Sequence, residues 1–77
     1  MKVLVYSRDM CPYCKQLKEF LKKNKIKFKE FDVDDDRTKL DEMVKKSGQV
    51  GVPVTDIEGK IVIGFDQEKL RKVLKIK

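Results

Sequence analysis

The apolar positions of this chain change their spacing several times, and each change marks an element. Residues 2–6, Lys-Val-Leu-Val-Tyr, are β-branched and apolar on both faces. That pattern predicts a strand buried on both sides, hence a central one with parallel neighbours. Ser7 to Met10 read as a loop. Cys14, Leu17, Phe20 and Leu21 then recur at helical spacing, with Lys15, Lys18, Lys22 and Lys23 largely on the other side. Pro12 fits the first helical position, where a missing N–H costs nothing. The result is an amphipathic helix of about three turns, ending near Asn24.

Ile26 to Val33 carry a second strand signal that changes phase, with Ile26 and Phe28 in one phase and Phe31 and Val33 in the other. Either the strand begins near Phe28 with both faces partly buried, or a bulge sits near Lys29-Glu30. The run Asp34-Asp35-Asp36 supplies N-cap candidates for a second helix. Leu40, Met43 and Val44 form its apolar stripe, and Gly48 suits a left-handed cap at its end. Val52-Pro53-Val54-Thr55 and Lys60 to Ile63 read as two strands joined by a short turn at Glu58-Gly59, a β-hairpin. Asp66 is a natural N-cap for a third helix, whose stripe is Leu70, Val73 and Leu74. The order is β-α-β-α-β-β-α. The helical crossover between the first two strands makes them parallel and right-handed.

Length limits what this pattern can build. With 77 residues the expectation is a single domain spanning 1–77. A chain of this size buries only about 60% of its unfolded surface, so its core is marginal. The apolar fraction of 40% is far too high for a disordered chain. No apolar run approaches the ~20 residues that span a bilayer. The sequence enters Val3-Leu4-Val5-Tyr6 directly, without a signal-peptide pattern, and the expected location is the cytoplasm.

The net charge of +6 raises the question of nucleic acid. Seven Lys fall between Lys15 and Lys29 with Glu19 as the only acid among them, and an acidic stretch, Glu30 to Asp36, follows. Only three of the 19 basic residues are Arg, the preferred base-edge reader, and there is no aromatic-basic interleaving of the kind that single-strand binders use. The charge therefore reads as a solvated helix face, with docking of an acidic partner as the alternative. Neither a nucleic-acid nor a membrane partner is expected.

Two absences narrow the chemistry. There is no His, which removes Cys-His and Ser-His pairs and every His-containing zinc site. Two Cys cannot supply a four-thiolate cage from one chain, so no metal site is expected. A disulfide between Cys11 and Cys14 would close a tiny loop and add little stability. The pair is placed for chemistry instead. It follows a central strand and opens a helix, where free backbone N–H groups and the helix dipole favour a thiolate on Cys11. Arg8 and Lys15 add positive potential nearby. Cys11 is thus the exposed attacker, and Cys14, on the apolar stripe, the shielded resolving thiol. Inert buried thiols, or half of a metal or iron–sulfur bridge between two chains, are the competing readings. Tyr13 can either stack on a substrate or cover the pair, and cover needs no ligand to explain it.

Cys11-Pro12-Tyr13-Cys14, Val52-Pro53 and Gly64-Phe65-Asp66 together resemble the glutaredoxins of the thioredoxin superfamily, and the resemblance covers essentially the whole chain. It implies an α/β thioredoxin-like fold with a four-stranded mixed sheet in the order 2-1-3-4, flanked by three helices. It implies a cis Pro53 beside Cys11, with the backbone of Val52 pairing to an extended substrate. The residues alone also allow a trans edge-strand proline at this position. The resemblance further implies contacts to glutathione from Arg8, Gln49, the backbone of Phe65 and the side chain of Asp66, with Pro12, Tyr13 and Gly64 alongside. The implied activity is reduction of protein or glutathione mixed disulfides by a monomer without a tightly bound cofactor, glutathione serving as reductant. Two positions depart from the pattern. Gly51 stands where Thr is usual, and Ile63 stands where the first of two Gly is usual. Gly-Phe is also found among redoxins that supply ribonucleotide reductase and draw on thioredoxin reductase, which is the alternative reading.

Overall fold

The computed structural model describes residues 2–76. Its elements are β1 (Val3–Ser7), α1 (Pro12–Lys23), β2 (Lys29–Asp32), α2 (Arg37–Ser47), β3 (Val54–Ile57), β4 (Lys60–Ile63) and α3 (Gln67–Leu74). The strands form one sheet in the order β2-β1-β3-β4. β1 is central, but its neighbours are of both kinds. It runs parallel to β2, with Tyr6 opposite Phe31, and antiparallel to β3, with Tyr6 opposite Val54. The apolar pattern of β1 reports burial on both faces and is silent about strand direction; the parallel neighbour it suggested is β2, and the mixed sheet in the order 2-1-3-4 is the one the resemblance implies.

The two faces of the sheet carry separate cores. Val3 and Val5 point toward α1 and α3 and pack with Leu17, Leu21, Leu70 and Leu74. Tyr6 points toward α2 and packs with Val33, Met43 and Val54. This alternation along one strand is what the period of two requires.

Local signals set the helix ends. The Asp36 carboxylate accepts the backbone N–H groups of Thr38 and Lys39 and caps α2, and Gly48 closes it at φ +75°. Asp66 Oδ1 accepts the N–H of Lys69 at 3.1 Å and caps α3. The hairpin turn has Glu58 at φ +51° and Gly59 at φ +92°, a geometry that matches the twist of the flanking strands.

Three boundaries differ from the pattern. Ser7 belongs to β1 rather than to a loop, because Val33 N–H donates to its carbonyl and extends the ladder. β2 is short and pairs in continuous register with β1, which settles the phase change without a bulge. β3 begins at Val54, two residues later than the pattern suggests, because Pro53 has no N–H to give a ladder. The Val52–Pro53 peptide bond is cis.

Candidate active site

The topology gathers four loops at one end of the sheet. β1, β2 and β4 end there, and β3, antiparallel to β1, begins there. The segment from Arg8 to Cys11, the loop around Asp34, the segment from Gln49 to Pro53, and Gly64 to Asp66 therefore meet. Two contacts tie them. Arg8 Nε lies 3.1 Å from Asp34 Oδ1 as an ion pair, although the Nε–H itself is aligned with no acceptor. Gly64 N–H donates to the Pro53 carbonyl at 2.8 Å.

Cys11 occupies the N-cap of α1, with extended backbone at φ −107° and ψ 107°, and Pro12 follows in the first turn. Its sulfur accepts the backbone N–H of Cys14 at 3.3 Å. A thiol here fills the role of a capping oxygen, and an anion at a helix N-terminus is favoured by the dipole. Cys11 is partly exposed, whereas Cys14 is fully buried. Burial, together with the neighbouring Cys11 sulfur, pushes the Cys14 thiol up to about 12. Both thiols are free.

An open cavity of about 610 Å³ lies beside the pair, lined by Arg8, Asp9, Met10, Cys11, Pro12, Lys15 and Lys18. Met10 is fully exposed and Tyr13 is 61% exposed, so the Cys11 sulfur is flanked in sequence by accessible apolar surface. Val50 adds a third exposed apolar side chain in the loop before Pro53.

The residues singled out from sequence divide into two groups. Cys11, Pro12, Tyr13 and Cys14 form the start of α1, and the buried Pro53 lies at the same end of the sheet. Arg8, Gln49 and Asp66 are each engaged within the chain. Arg8 faces Asp34. The Gln49 side chain accepts Gly51 N–H at 2.6 Å and donates to the Gly51 carbonyl at 2.9 Å. Asp66 caps α3. Phe65 packs edge-on against Phe20 with ring centroids 5.9 Å apart, and Val52 packs beside the α2 core.

Sequence reasoning missed three residues near the pair. Lys18 does not simply face solvent; its Nζ lies 2.7 Å from Glu30 Oε2, and Ser7 Oγ donates to the same oxygen at 2.9 Å. The helical spacing of Lys18 four residues after Cys14 was the one available signal. Among the described residues, no group of three or more His, Cys, Asp and Glu is arranged to hold a metal ion. Among them, also, no helix is long and apolar enough to cross a membrane.

The mixed sheet with helices on both faces, and a Cys-x-x-Cys pair opening the first helix, define a thioredoxin-like thiol–disulfide redox protein. The glutaredoxin family model matches residues 3–62, and the chain belongs to that family. An uncharacterized glutaredoxin-like 8.6 kDa protein in the rubredoxin operon of Clostridium pasteurianum is 40% identical over 72 residues, covering 94% of this chain and 96% of the relative. Glutaredoxin 3 of Escherichia coli is 34% identical over 64 residues, covering 83% of this chain and 77% of that protein. The crystal structure of a variant of the thioredoxin-like protein BC3987 superposes with a TM-score of 0.92 at 36% identity, covering 97% of this chain and 96% of the other.

Proposed function

We propose that this protein reduces disulfides by dithiol exchange, with Cys11 as the attacking sulfur and Cys14 as the resolving one. The observation that carries this reading is the asymmetry of the pair. Cys11 caps the helix and reaches solvent, while Cys14 is buried and held protonated. The Cys11 thiolate attacks one sulfur of a substrate disulfide, that S–S bond breaks, and the departing thiolate takes up a proton. Cys14 then loses its proton and attacks Cys11 Sγ. The mixed disulfide breaks, the second substrate thiol leaves reduced, and Cys11–Cys14 holds the oxidising equivalents. Both electrons come from the two sulfurs, so the exchange requires no bound cofactor.

Exposed Met10 and Tyr13, on either side of Cys11 in the chain, support a polypeptide disulfide as substrate, laid across an apolar rim. A reducing compartment such as the cytoplasm suits a pair that must be returned to the dithiol state. The chain is taken to work as a single-domain monomer.

Family membership points to glutathione as the electron donor. A second reading, in which a thioredoxin reductase supplies electrons as it does for ribonucleotide-reductase redoxins, is favoured by one observation. Arg8, Gln49 and Asp66, the polar groups that would hold glutathione, are already engaged, Arg8 in an ion pair with Asp34 and the other two in hydrogen bonds with Gly51 and Lys69. Insulin reduction by the protein and by Cys11→Ser tests the exchange reading; unchanged activity in the variant removes the nucleophile. Reduction of the oxidised protein by glutathione, side by side with thioredoxin reductase and NADPH, decides the donor. Reduction by the enzyme alone would remove the glutathione contacts assigned to Arg8, Gln49 and Asp66.

A further inference from the structure

Before it can attack, Cys14 must carry a negative charge in a place that resists one. It is fully buried, and the Cys11 sulfur beside it adds to the penalty. Two groups act in the other direction. These are the backbone of Arg8 and, through space, the ammonium of Lys18, both of which favour the thiolate. Lys18 lies one helical turn beyond Cys14 on the same side of α1, the spacing at which helical side chains are neighbours.

Lys18 is also held in place. Glu30 stands opposite Val5 in the β1–β2 register, which turns it toward the α1 face of the sheet. Its Oε2 receives both Lys18 Nζ at 2.7 Å and Ser7 Oγ at 2.9 Å. Ser7 is only 1% exposed and immediately precedes Arg8. One hydroxyl thus links the end of β1, just before Arg8, with the carboxylate that anchors Lys18. The hydrogen bond to Glu30 raises Lys18 above the usual lysine value, so it stays charged throughout. The other charged groups facing Lys18 are Asp9 and Cys14, with Lys22 acting on Glu30 and Lys15 on the same cavity wall.

We propose that Lys18, anchored by Glu30 and Ser7, is the electrostatic partner of Cys14 in the resolving step, placed to stabilise the Cys14 thiolate as it attacks the mixed disulfide on Cys11. The proposal rests on the dithiol-exchange reading and assigns it a positioning residue that neither thiol supplies. Its atoms balance simply. The Cys14 proton passes to solvent, the Cys14–Cys11 bond forms, the Cys11–substrate bond breaks, and the leaving thiolate takes a proton from solvent. Lys18 remains an ammonium and transfers nothing.

The test is stopped-flow reaction of the reduced protein with 4,4′-dithiodipyridine, an uncharged disulfide whose released thiopyridone absorbs light. Attack by Cys11 releases the first equivalent, and displacement by Cys14 releases the second. In Lys18→Gln the second phase is expected to slow about tenfold below pH 9, the effect of about one pKa unit on the thiolate fraction. The first phase should change less than twofold. Lys18→Arg should restore the second phase to within about threefold of the unsubstituted protein, because it keeps the charge. An unchanged second phase in Lys18→Gln overturns the proposal. So does equal slowing of both phases, or Lys18→Arg being as slow as Lys18→Gln. Release of a single equivalent by the unsubstituted protein would instead overturn the exchange reading itself.

Discussion

The sulfur of Cys11 accepts the backbone N–H of Cys14 at 3.3 Å, and the two thiols joined by this contact sit in opposite surroundings. Cys11 lies at the mouth of an open cavity, and Cys14 lies under the helix against the sheet. The N–H that binds Cys11 is one of the donors every helix start leaves unpaired. The chain thereby uses an ordinary structural need, a helix cap, to hold the sulfur that faces solvent. The same turn buries the second sulfur on the apolar stripe beside Leu17.

This asymmetry has a direct chemical consequence. Iodoacetamide should modify the reduced protein at Cys11 alone near pH 7.5, because burial pushes Cys14 up to about 12 and closes access to it. Peptide mapping by mass spectrometry should find Cys14 modified only after unfolding in denaturant. Comparable labelling of both in the folded protein would contradict the burial of Cys14.

On the other face of the sheet, Lys46 Nζ donates to Asp56 Oδ2 at 2.7 Å and to Tyr6 Oη at 2.9 Å. Burial pushes the Asp56 carboxyl up, but the Lys46 ammonium and the Gly59 N–H pull harder and leave it below its usual value. Its contribution to stability is fully present above the unfolded value of about 3.9 and is lost as pH falls through the folded one. For Lys46 burial acts downward, but Asp56 and Tyr6 outweigh it and raise the ammonium. That contribution is fully present below about pH 10.4 and is lost as pH rises through the folded value. Asp56→Asn should therefore cost about 2 kcal/mol at neutral pH and flatten the acid limb of the stability curve. Denaturant midpoints measured between pH 3 and 7 check this.

Asp66 caps α3 through a single hydrogen bond to Lys69 N–H. Asp66→Ala should lower stability by about 1 kcal/mol. Thermal unfolding followed by circular dichroism reads this directly. A variant as stable as the parent would leave Asp66 free for a ligand instead.

Gly51 makes room for the Gln49 side chain. A Cβ added at Gly51 would sit 2.7 Å from Gln49 Oε1, so any larger residue must push the amide aside. Gly51→Thr should break both Gln49–Gly51 hydrogen bonds and cost about 1 kcal/mol, since they lie in water. Faster exchange of the Gln49 side-chain amide protons in nuclear magnetic resonance spectra is the expected signature. Unaltered exchange would show that the side chain keeps its place.

Much of this arrangement was legible in the sequence because it is local. Pro12 after Cys11, Asp36 and Gly48 around α2, and Asp66 before α3 each act within a few residues, where spacing is a sufficient guide. The resemblance supplied the strand order and the cis Pro53, which the residues alone left open. What escaped were pairs that meet only across elements. Arg8 with Asp34, Lys18 with Glu30 and Ser7, and Lys46 with Asp56 and Tyr6 are far apart in sequence. Helical periodicity assigns Lys18 to the polar side but cannot say that a strand carries its partner. Ser7 looked like loop because one small polar residue cannot show that its carbonyl completes a ladder.

The proposal that Cys11 forms the mixed disulfide and Cys14 clears it is tested most directly by the mass of what each single-cysteine variant captures. Cys14→Ser, mixed with a disulfide-linked model peptide, should accumulate a covalent adduct on Cys11 that persists until a reductant is added. Cys11→Ser should capture none over the same time, because the buried Cys14 cannot begin the exchange. An adduct on Cys14 in Cys11→Ser, formed as fast as that on Cys11 in the other variant, would contradict the assignment of the two roles.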